Sequence, residues 1–210
     1  MYTPKHFKMD DEDEIYDFIL NNSFAILVSN NEGKLNATHV PLLLQLNENG
    51  KNFLYGHVAR ANYQMSNISK EVLVVFPGAH KYISSSWYES DQTVPTWSYL
   101  SVHVNGIIHI LDDRESKIGI LKKTVEYFEG KDSSYKMENL EKKYFEGLLN
   151  GITAFKIEIT GIEGKKKISQ NHSDERQKLV IRELEKNSDA DSMTIVSKMK
   201  EMLENKSSKK

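Results

Sequence analysis

The stretch from Tyr82 to Gly106 carries the side chains of this sequence that are best suited to holding a ligand. It reads YISSSWYESDQTVPTWSYLSVHVNG, with three consecutive serines and both of the chain's tryptophans. Hydroxyl and indole N–H groups cost about 1–3 kcal/mol each when they are buried without a partner. Serines beside flat aromatic rings therefore indicate a site for a planar ligand, whose ring stacks while its polar edge takes hydrogen bonds. The alternative is a loop that covers a sheet, with Trp87 and Trp97 as plugs.

A second candidate is the run YGHVARAN from Tyr55 to Asn62, at the junction between a predicted strand and a predicted helical turn. The amide groups of a first helical turn, together with the guanidinium of Arg60, can receive a phosphate group. The alternative is that Arg60 pairs with a surface carboxylate while Asn62 caps the turn.

Two further polar runs could contribute to the same ligand. Thr38 and His39 precede Pro41 in a predicted strand, and a proline inside a strand indicates an edge or a bulge, where backbone groups can turn to a ligand. The run KKKISQN, which contains Lys167, follows the last predicted strand. It is either a polar linker or, together with Arg60, the source of a cation and amide groups.

Several kinds of chemistry are not predicted. The chain has no cysteine, which removes disulfides, thiolate nucleophiles and Cys-ligated zinc. Its seven histidines show no His-x-x-x-His spacing, so we predict no metal site. The sequence contains neither Gly-x-Ser-x-Gly nor Gly-x-Gly-x-x-Gly, which argues against a serine hydrolase and a Rossmann fold. We predict no catalytic side chain, since any reaction would reside in a bound cofactor.

Length and charge set the remaining limits. A chain of 210 residues permits one domain with an appendage, and no apolar run is long enough to span a membrane. The N-terminal sequence is too acidic for a secretory signal, so we expect a cytoplasmic protein that does not bind membranes. Residues 165–210 hold 12 Lys and Arg against 8 Asp and Glu. This basic excess makes DNA binding possible but weakly supported, because a solvated helical surface explains it equally.

Hydrophobic periodicity predicts the elements that must position these residues. The predicted strands are Phe24–Ser29, Leu35–Leu46, Phe53–Ala59, Val72–Phe76, Tyr82–Ser86, Tyr99–Leu111 and Ala154–Ile162. The predicted helices are Asp10–Asn22, one or two turns within Ala61–Ser69, a helix after Asp112 and Asp113, Met137–Leu149, Asp174–Lys186 and Ser192–Glu204. Asn30–Gly33 and Asn47–Gly50 are predicted hairpin turns.

Six or more antiparallel strands with few, short helices predict a mainly β protein with helices, an α+β fold built on a closed or nearly closed barrel. We expect residues 1–164 to form the barrel domain. Residues 165–210 are expected to form a helical tail that packs on the barrel or on a partner subunit.

Six motifs, taken in order, resemble the PaiB family of FMN-binding negative transcriptional regulators. They are MYTPKHF, NATHVPLLL, GHVARANYQ, YISSSWYE, VPTWSYLSVHVNG and KKISQN. The resemblance extends from Met1 to about Leu203. It implies an FMN-binding split β-barrel related to pyridoxamine phosphate oxidases, which forms a homodimer with flavin at the subunit interface. It also implies repression of sporulation and degradative-enzyme genes in bacilli.

The resemblance places Arg60 at the position of the phosphate-binding arginine of split barrels. Ala59 and Ala61 stand where the oxidases often have a serine and a lysine. Either Asn62, Thr38 and Lys167 compensate for that loss, or FMN binds weakly or not at all. Ser101 falls where the oxidases place a flavin-contacting glutamine, and its shorter side chain makes oxidase chemistry less assured.

The predicted FMN contacts are Thr38, His39, His57, Arg60, Asn62, Ser85, Trp87, Trp97, Ser101, Lys167, Ser169 and Gln170. Two functions remain open. The chain is either a flavin-binding transcriptional repressor or an FMN-dependent oxidoreductase without direct DNA binding.

Overall fold

A computed structural model describes residues 1–47, 51–89, 92–130 and 132–207. The helices are α1 (Glu12–Asn21), α2 (Arg114–Glu129), α3 (Lys142–Asn150), α4 (Asp174–Leu184) and α5 (Ala190–Ser207). The strands are β1 (Lys8–Met9), β2 (Phe24–Asn31), β3 (Lys34–Pro41), β4 (Leu43–Gln45), β5 (Phe53–Ala59), β6 (Glu71–Ile83), β7 (Thr96–Leu111) and β8 (Ile152–Lys167). No helix in these ranges is both long and apolar enough to cross a membrane.

The strands form one eight-stranded sheet with the order β3-β2-β6-β7-β8-β5-β4, and β1 pairs with β8. The predicted α+β class is therefore confirmed. The long strands β6, β7 and β8 each run through two compact units of the chain. Unit 1 comprises Met1–Phe18, Pro77–Val102 and Glu163–Lys210, and unit 2 comprises Ile19–Phe76 and His103–Ile162. The predicted separation into domains at residues 164 and 165 stays a prediction.

The first predicted hairpin is confirmed in unit 2. β2 and β3 pair from Phe24↔Pro41 to Asn31↔Lys34. Glu32 and Gly33 join them with φ angles of 53° and 86°, which suit the right-handed twist of a two-residue hairpin turn. The second predicted turn includes residues 48–50, which lie outside the described residues.

The single strand predicted for Leu35–Leu46 is divided at Leu42 into β3 and β4. Leu42 is almost fully buried, and its N–H donates to the carbonyl of Ser23 at 2.8 Å, one residue beyond the last β2–β3 pair. β3 and β4 lie at the two ends of the strand order, so the edge position predicted from Pro41 is confirmed.

The strand end predicted at Pro77 and Gly78 is wrong, as is the separate strand at Tyr82–Ser86. β6 continues to Ile83, and a 3₁₀ turn follows at Ser85–Trp87. β2 pairs with β6 only as far as Val75, so Pro77 lies where β2 requires no N–H donor.

One predicted helix is interrupted in the structure. The predicted helix Met137–Leu149 is a 3₁₀ turn at Met137–Asn139 followed by α3, because Leu140 has extended backbone angles. In unit 1, Ser173 caps α4, as the N–H of Arg176 donates to its hydroxyl at 3.4 Å. The predicted helix Ser192–Glu204 lies within α5, where Ile195 is buried and Met193 is half-exposed.

Gly106 generates a prediction about stability. A Cβ atom there would lie 2.6 Å from the carbonyl oxygen of Glu158 and even closer to the Ile157 side chain. Gly106→Ala should lower the free energy of unfolding by about 1–3 kcal/mol, measured by urea denaturation. In the control Gly119→Ala, on α2, the new Cβ meets nothing within 4 Å. That control should raise stability by about 0.5–1 kcal/mol, and equal effects of the two substitutions would contradict this account.

Candidate functional site

The predicted ligand contacts fall into both units. Unit 2 holds Thr38, His39, His57, Arg60 and Asn62. Unit 1 holds Ser85, Trp87, Trp97, Ser101, Lys167, Ser169 and Gln170.

In unit 2, Thr38 and Asn62 belong to a hydrogen-bond network around Gln64, which is 1% exposed. The Asn62 amide donates to the Thr38 hydroxyl at 3.0 Å, and its oxygen accepts from the N–H of Gln64 at 3.0 Å. The Gln64 amide donates to the Ser29 hydroxyl at 2.9 Å and to the Leu27 carbonyl at 3.1 Å. The network ties the turn after β5 to β2 and β3, and Asn62 is the cap of that turn.

Arg60 fastens the end of α3 to β5. Its Nε donates to the carbonyl of Asn150 at 2.7 Å, and its Nη2 donates to the carbonyl of Ile152 at 3.3 Å. Cationic donors stabilise the unpaired carbonyls at a helix C-terminus. Neither the predicted phosphate nor a surface carboxylate is needed to explain this geometry. The remaining N–H groups of the guanidinium could still meet a ligand.

The two histidines of unit 2 that are predicted contacts have separate surroundings. His39 is exposed and stacks on Phe24, with the ring centres 5.9 Å apart. His57 is half-buried, and burial lowers its pKa below the ordinary value of 6.5. It is therefore a neutral imidazole at pH 7.

In unit 1, Trp97 and Ser101 line the same cavity, as the sequence predicts. This aromatic pocket has a volume of about 330 Å³ and is lined by Pro77, Gly78, His80, Trp97, Tyr99, Leu100 and Ser101. The Trp97 ring is 53% exposed and lies 6.1 Å from His80 and 6.0 Å from Tyr82, between ring centres.

A second cavity in unit 1, the polar pocket, has a volume of about 350 Å³. It is lined by Phe7, Gln92, Thr93, Val94, Thr96, Ser98, Lys167, Ser169, Asn171, His172 and Arg176. Successive side chains of a strand point to opposite faces. Thr96 and Ser98 therefore lie on one face of β7, and Trp97 and Ser101 lie on the other. The predicted single site is thus divided between two cavities.

The polar pocket contains a buried hydroxyl group whose hydrogen-bonding capacity is unused. Ser98 is 1% exposed, and its Oγ has no hydrogen-bond partner among the described residues. A buried polar group in that state costs about 1–3 kcal/mol, so its presence beside a cavity points to a ligand.

Lys167 is the central cation of the polar pocket. Its Nζ donates to the hydroxyl of Thr96 and to the carbonyl of Trp97, the latter at 2.8 Å. Burial lowers the pKa of Lys167, and the positive charge of Lys165 lowers it further. Both causes disfavour the ammonium form, so a bound anion would be favourable at this position.

The turn after β8 shapes the pocket. Ser169 is 5% exposed and has a φ of 67°, a left-handed conformation that non-glycine residues rarely adopt. The Gln170 side chain spans the turn, accepting from the N–H of Ile168 at 2.7 Å and donating to the carbonyl of Lys166. Gln170 therefore positions Ser169 and Lys167, a role that differs from the predicted contact.

Ser85 and Trp87 form a 3₁₀ turn capped by Ser84. The Ser85 carbonyl accepts from the hydroxyl of Thr93 at 3.2 Å, which holds the segment that leads into the polar pocket. The sequence reasoning missed several pocket residues: Phe7, Thr93, Thr96, Ser98, Asn171, His172 and Arg176. A signal was present for Asn171, which ends the run KKKISQN, for His172, which follows that run, and for Ser98, which alternates with Trp97.

Comparisons with known proteins agree with these observations. A family model described as "Putative FMN-binding domain" matches residues 1–161. The protease synthase and sporulation protein PAI 2 of Bacillus subtilis is 36% identical over 187 residues, covering 88% of this chain and 89% of the relative.

Two solved structures have a similar fold at low identity. The flavocytochrome Anf3 of Azotobacter vinelandii has a TM-score of 0.59 at 12% identity, covering 84% of this chain and 78% of that chain. The FAD and heme binding protein of Mycobacterium smegmatis has a TM-score of 0.58 at 14% identity, covering 80% and 78% respectively.

The family match defines an FMN-binding protein, and its fold is that of the split-barrel class. The chain belongs to the FMN-binding domain family whose model it matches, and its cofactor is FMN. The resemblance to the PaiB family is thereby confirmed.

Proposed function

We propose that this chain is an FMN-binding regulator whose polar pocket holds the phosphate group of FMN. The observation that carries the phosphate site is one cavity lined by Lys167, Arg176 and the unpartnered hydroxyl of Ser98. The regulatory role is supported by the Bacillus subtilis relative, whose name refers to protease synthesis and sporulation.

The donor set of the polar pocket fits a phosphate monoester. Such a group carries about −1.5 to −2 charges at pH 7 and has three strong acceptor oxygens. Lys167 and Arg176 supply two positive charges, while Ser98 and Asn171 supply hydroxyl and amide donors. The volume of about 350 Å³ is within the range of small-molecule sites.

The charge balance of the pocket also favours an anion. Among the described residues Lys167 forms no ion pair, and Arg176 is shared with Glu89 at a loose 3.7 Å. Partial burial removes some of the hydration that stabilises an ammonium group. An opposite charge beside the group compensates for that loss. A bound phosphate would supply that charge.

Of the twelve predicted flavin contacts, only Lys167 and Ser169 line this cavity, and Trp97 and Arg60 are among those that do not. Trp97 points to the opposite face of β7, and Arg60 lies in unit 2 with two of its nitrogens on backbone carbonyls. We keep both as predicted contacts of the flavin. Substitutions of Lys167 and Arg60 distinguish a phosphate site in the polar pocket from one in unit 2.

Lys167→Met should weaken FMN binding by about tenfold to a hundredfold, measured by quenching of flavin fluorescence. The reason is the loss of a charge-assisted hydrogen bond, worth about 1.5–3 kcal/mol. Riboflavin lacks the phosphate group, so its affinity should be the same for the variant and the wild type. Lys122→Met is the control, because Lys122 is an exposed lysine on α2.

Arg60→Ala tests the alternative, in which the phosphate group binds in unit 2. If Arg60→Ala weakens FMN binding selectively over riboflavin while Lys167→Met does not, the phosphate lies in unit 2 and the polar pocket assignment is wrong. Urea denaturation of Arg60→Ala accompanies the titration, since losing its bonds to Asn150 and Ile152 lowers stability independently of FMN.

The proposal includes a homodimer, supported by exposed apolar side chains in unit 2. On α2, Tyr127 is 43% exposed and Phe128 is 54% exposed, and on α3, Tyr144 is 58% exposed. A salt bridge of 2.6 Å between Arg114 and Glu146 links the two helices. Large exposed apolar side chains are typical of a protein interface.

We expect light scattering to give twice the chain mass of 24.2 kDa for the wild type. The double substitution Phe128→Lys and Tyr144→Lys should shift it to monomer, because it places charges in the interface. Tyr63→Lys, at a side chain 70% exposed on a separate turn, is the control. If FMN lies at the interface, it should also lower the concentration at which dimers dissociate. A wild-type monomer that binds FMN stoichiometrically would contradict this part of the proposal.

The proposed regulation represses sporulation and degradative-enzyme genes and acts through a partner. Four cations of the tail pair with acids of the tail itself, which lowers their value for phosphate contacts on DNA. They are Lys186 with Glu183, Lys198 with Glu201, Lys200 with Glu185, and Lys206 with Asp174.

Complementation tests the regulatory role. In Bacillus subtilis lacking its PAI 2 protein, the wild-type chain should lower extracellular protease and sporulation, and Lys167→Met at an equal protein level should not. Equal repression by both would show that regulation does not need the polar pocket. Absence of repression by both, with sustained oxidation of reduced nicotinamide by the FMN-loaded protein, would instead favour the oxidoreductase alternative.

A further inference from the structure

We infer that His172 is the third cationic group of the polar pocket, so that the pocket binds a phosphate monoester as its dianion while His172 takes up a proton. The inference rests on the proposed phosphate site. It adds a proton-coupled binding residue and a preference for the dianionic form of the ligand.

The backbone of His172 is held on both sides. Its N–H donates to the carbonyl of Ser169 at 3.0 Å, and its carbonyl accepts from the side-chain amide of Gln177 at 2.8 Å. Gln177 is fully buried on α4, so this anchor does not move with the surface. The imidazole therefore keeps its place in the wall of the pocket.

The ring of His172 is also held in orientation. It stacks on Tyr88, with ring centres 5.2 Å apart and an angle of 28° between the planes. Arg176 lies over the other ring of this pair, 5.7 Å from the centre of Tyr88. Burial raises the pKa of Tyr88, so its phenol stays neutral and adds no negative charge beside the imidazole.

The groups that face His172 from the surrounding elements make it neutral in the free protein. Lys167 approaches from the end of β8 and Arg176 from α4, and the nearby Glu89 is paired with Arg176 at 3.7 Å. Burial lowers the pKa of His172, and the charges of Arg176 and Lys167 lower it further. A phosphate dianion offsets these two positive charges and places acceptor oxygens beside the imidazole, which raises that pKa in the complex.

The direction of the pH effect follows from these shifts. The free pocket holds a neutral imidazole above its lowered pKa, and the complex holds an imidazolium up to its raised pKa. Between these two values FMN binding takes up a proton, and affinity falls by up to about tenfold for each pH unit of increase. A phosphate group with a second pKa near about 6 is already dianionic in most of this range.

Calorimetry in two buffers of different ionisation enthalpy measures the proton directly. At about pH 7.5, where the FMN phosphate is almost fully dianionic, wild type should take up a substantial fraction of one proton. Protonation changes of the phosphate itself would instead release a proton, because a cationic pocket favours its dianion. Riboflavin has no phosphate and should cause no uptake.

His172→Gln is the decisive variant, since it keeps a polar side chain in the turn and leaves Lys167 and Arg176 in place. It should abolish the uptake and flatten the pH dependence of FMN affinity. His109→Gln is the matched control, because His109 is an exposed histidine on β7 that lines neither the polar pocket nor the aromatic pocket. The control should take up the same number of protons as wild type.

The outcomes separate this inference from the phosphate site. If Lys167→Met weakens FMN binding but wild type takes up no proton, or His172→Gln takes up as many, the inference is overturned and the phosphate site stands. If Lys167→Met has no effect on FMN, the phosphate site itself is wrong. Should His172→Gln fail to fold, the sign and size of the wild-type uptake still decide.

Discussion

An ammonium group that is partly buried without an acid beside it is the constraint on which the candidate site depends. Lys167 donates to Thr96 and to the carbonyl of Trp97, and these two bonds fix the end of β8 against the start of β7 within unit 1. Neutral acceptors satisfy its hydrogen bonds but do not cancel its charge. The positive charges of Lys167 and Arg176 therefore remain incompletely compensated. That is the physical reason for expecting an anion in the polar pocket.

The turn after β8 contains a strained backbone conformation that shapes the polar pocket. Ser169 adopts a left-handed conformation, which costs about 1–3 kcal/mol for a residue with a side chain, and the side chain of Gln170 holds the turn from both ends. That geometry lets Lys167, Ser169 and His172 line one cavity although they lie close together in the sequence. In the proposed assignment, these residues bind and orient the phosphate group of FMN.

The sequence predicts what short-range patterns determine. The β2–β3 hairpin follows from its turn residues, α2 begins after the predicted capping residue Asp113, and Trp97 and Ser101 share a face because strands alternate. Features that depend on pairing partners are not predicted. β6 passes through Pro77 because β2 no longer pairs there, and Leu42 divides a strand whose halves join different neighbours.

The same distinction applies to the residues of the polar pocket, of which only some could be predicted from the sequence. Lys167 and Ser169 were within reach of sequence reasoning because one motif contains both, whereas Phe7 and Arg176 reach the pocket from segments far apart in the chain. The family resemblance indicates Arg60 as a phosphate contact. Its hydrogen bonds at the end of α3 depend on the folded structure and could not be predicted from the sequence.

A crystal structure of the protein with FMN tests the central claim most directly. The account predicts the phosphate group between Lys167 and Arg176, with the hydroxyl of Ser98 donating to one of its oxygens. A phosphate group bound by Arg60 and Asn62 in unit 2, with the Ser98 hydroxyl still without a partner, would contradict it.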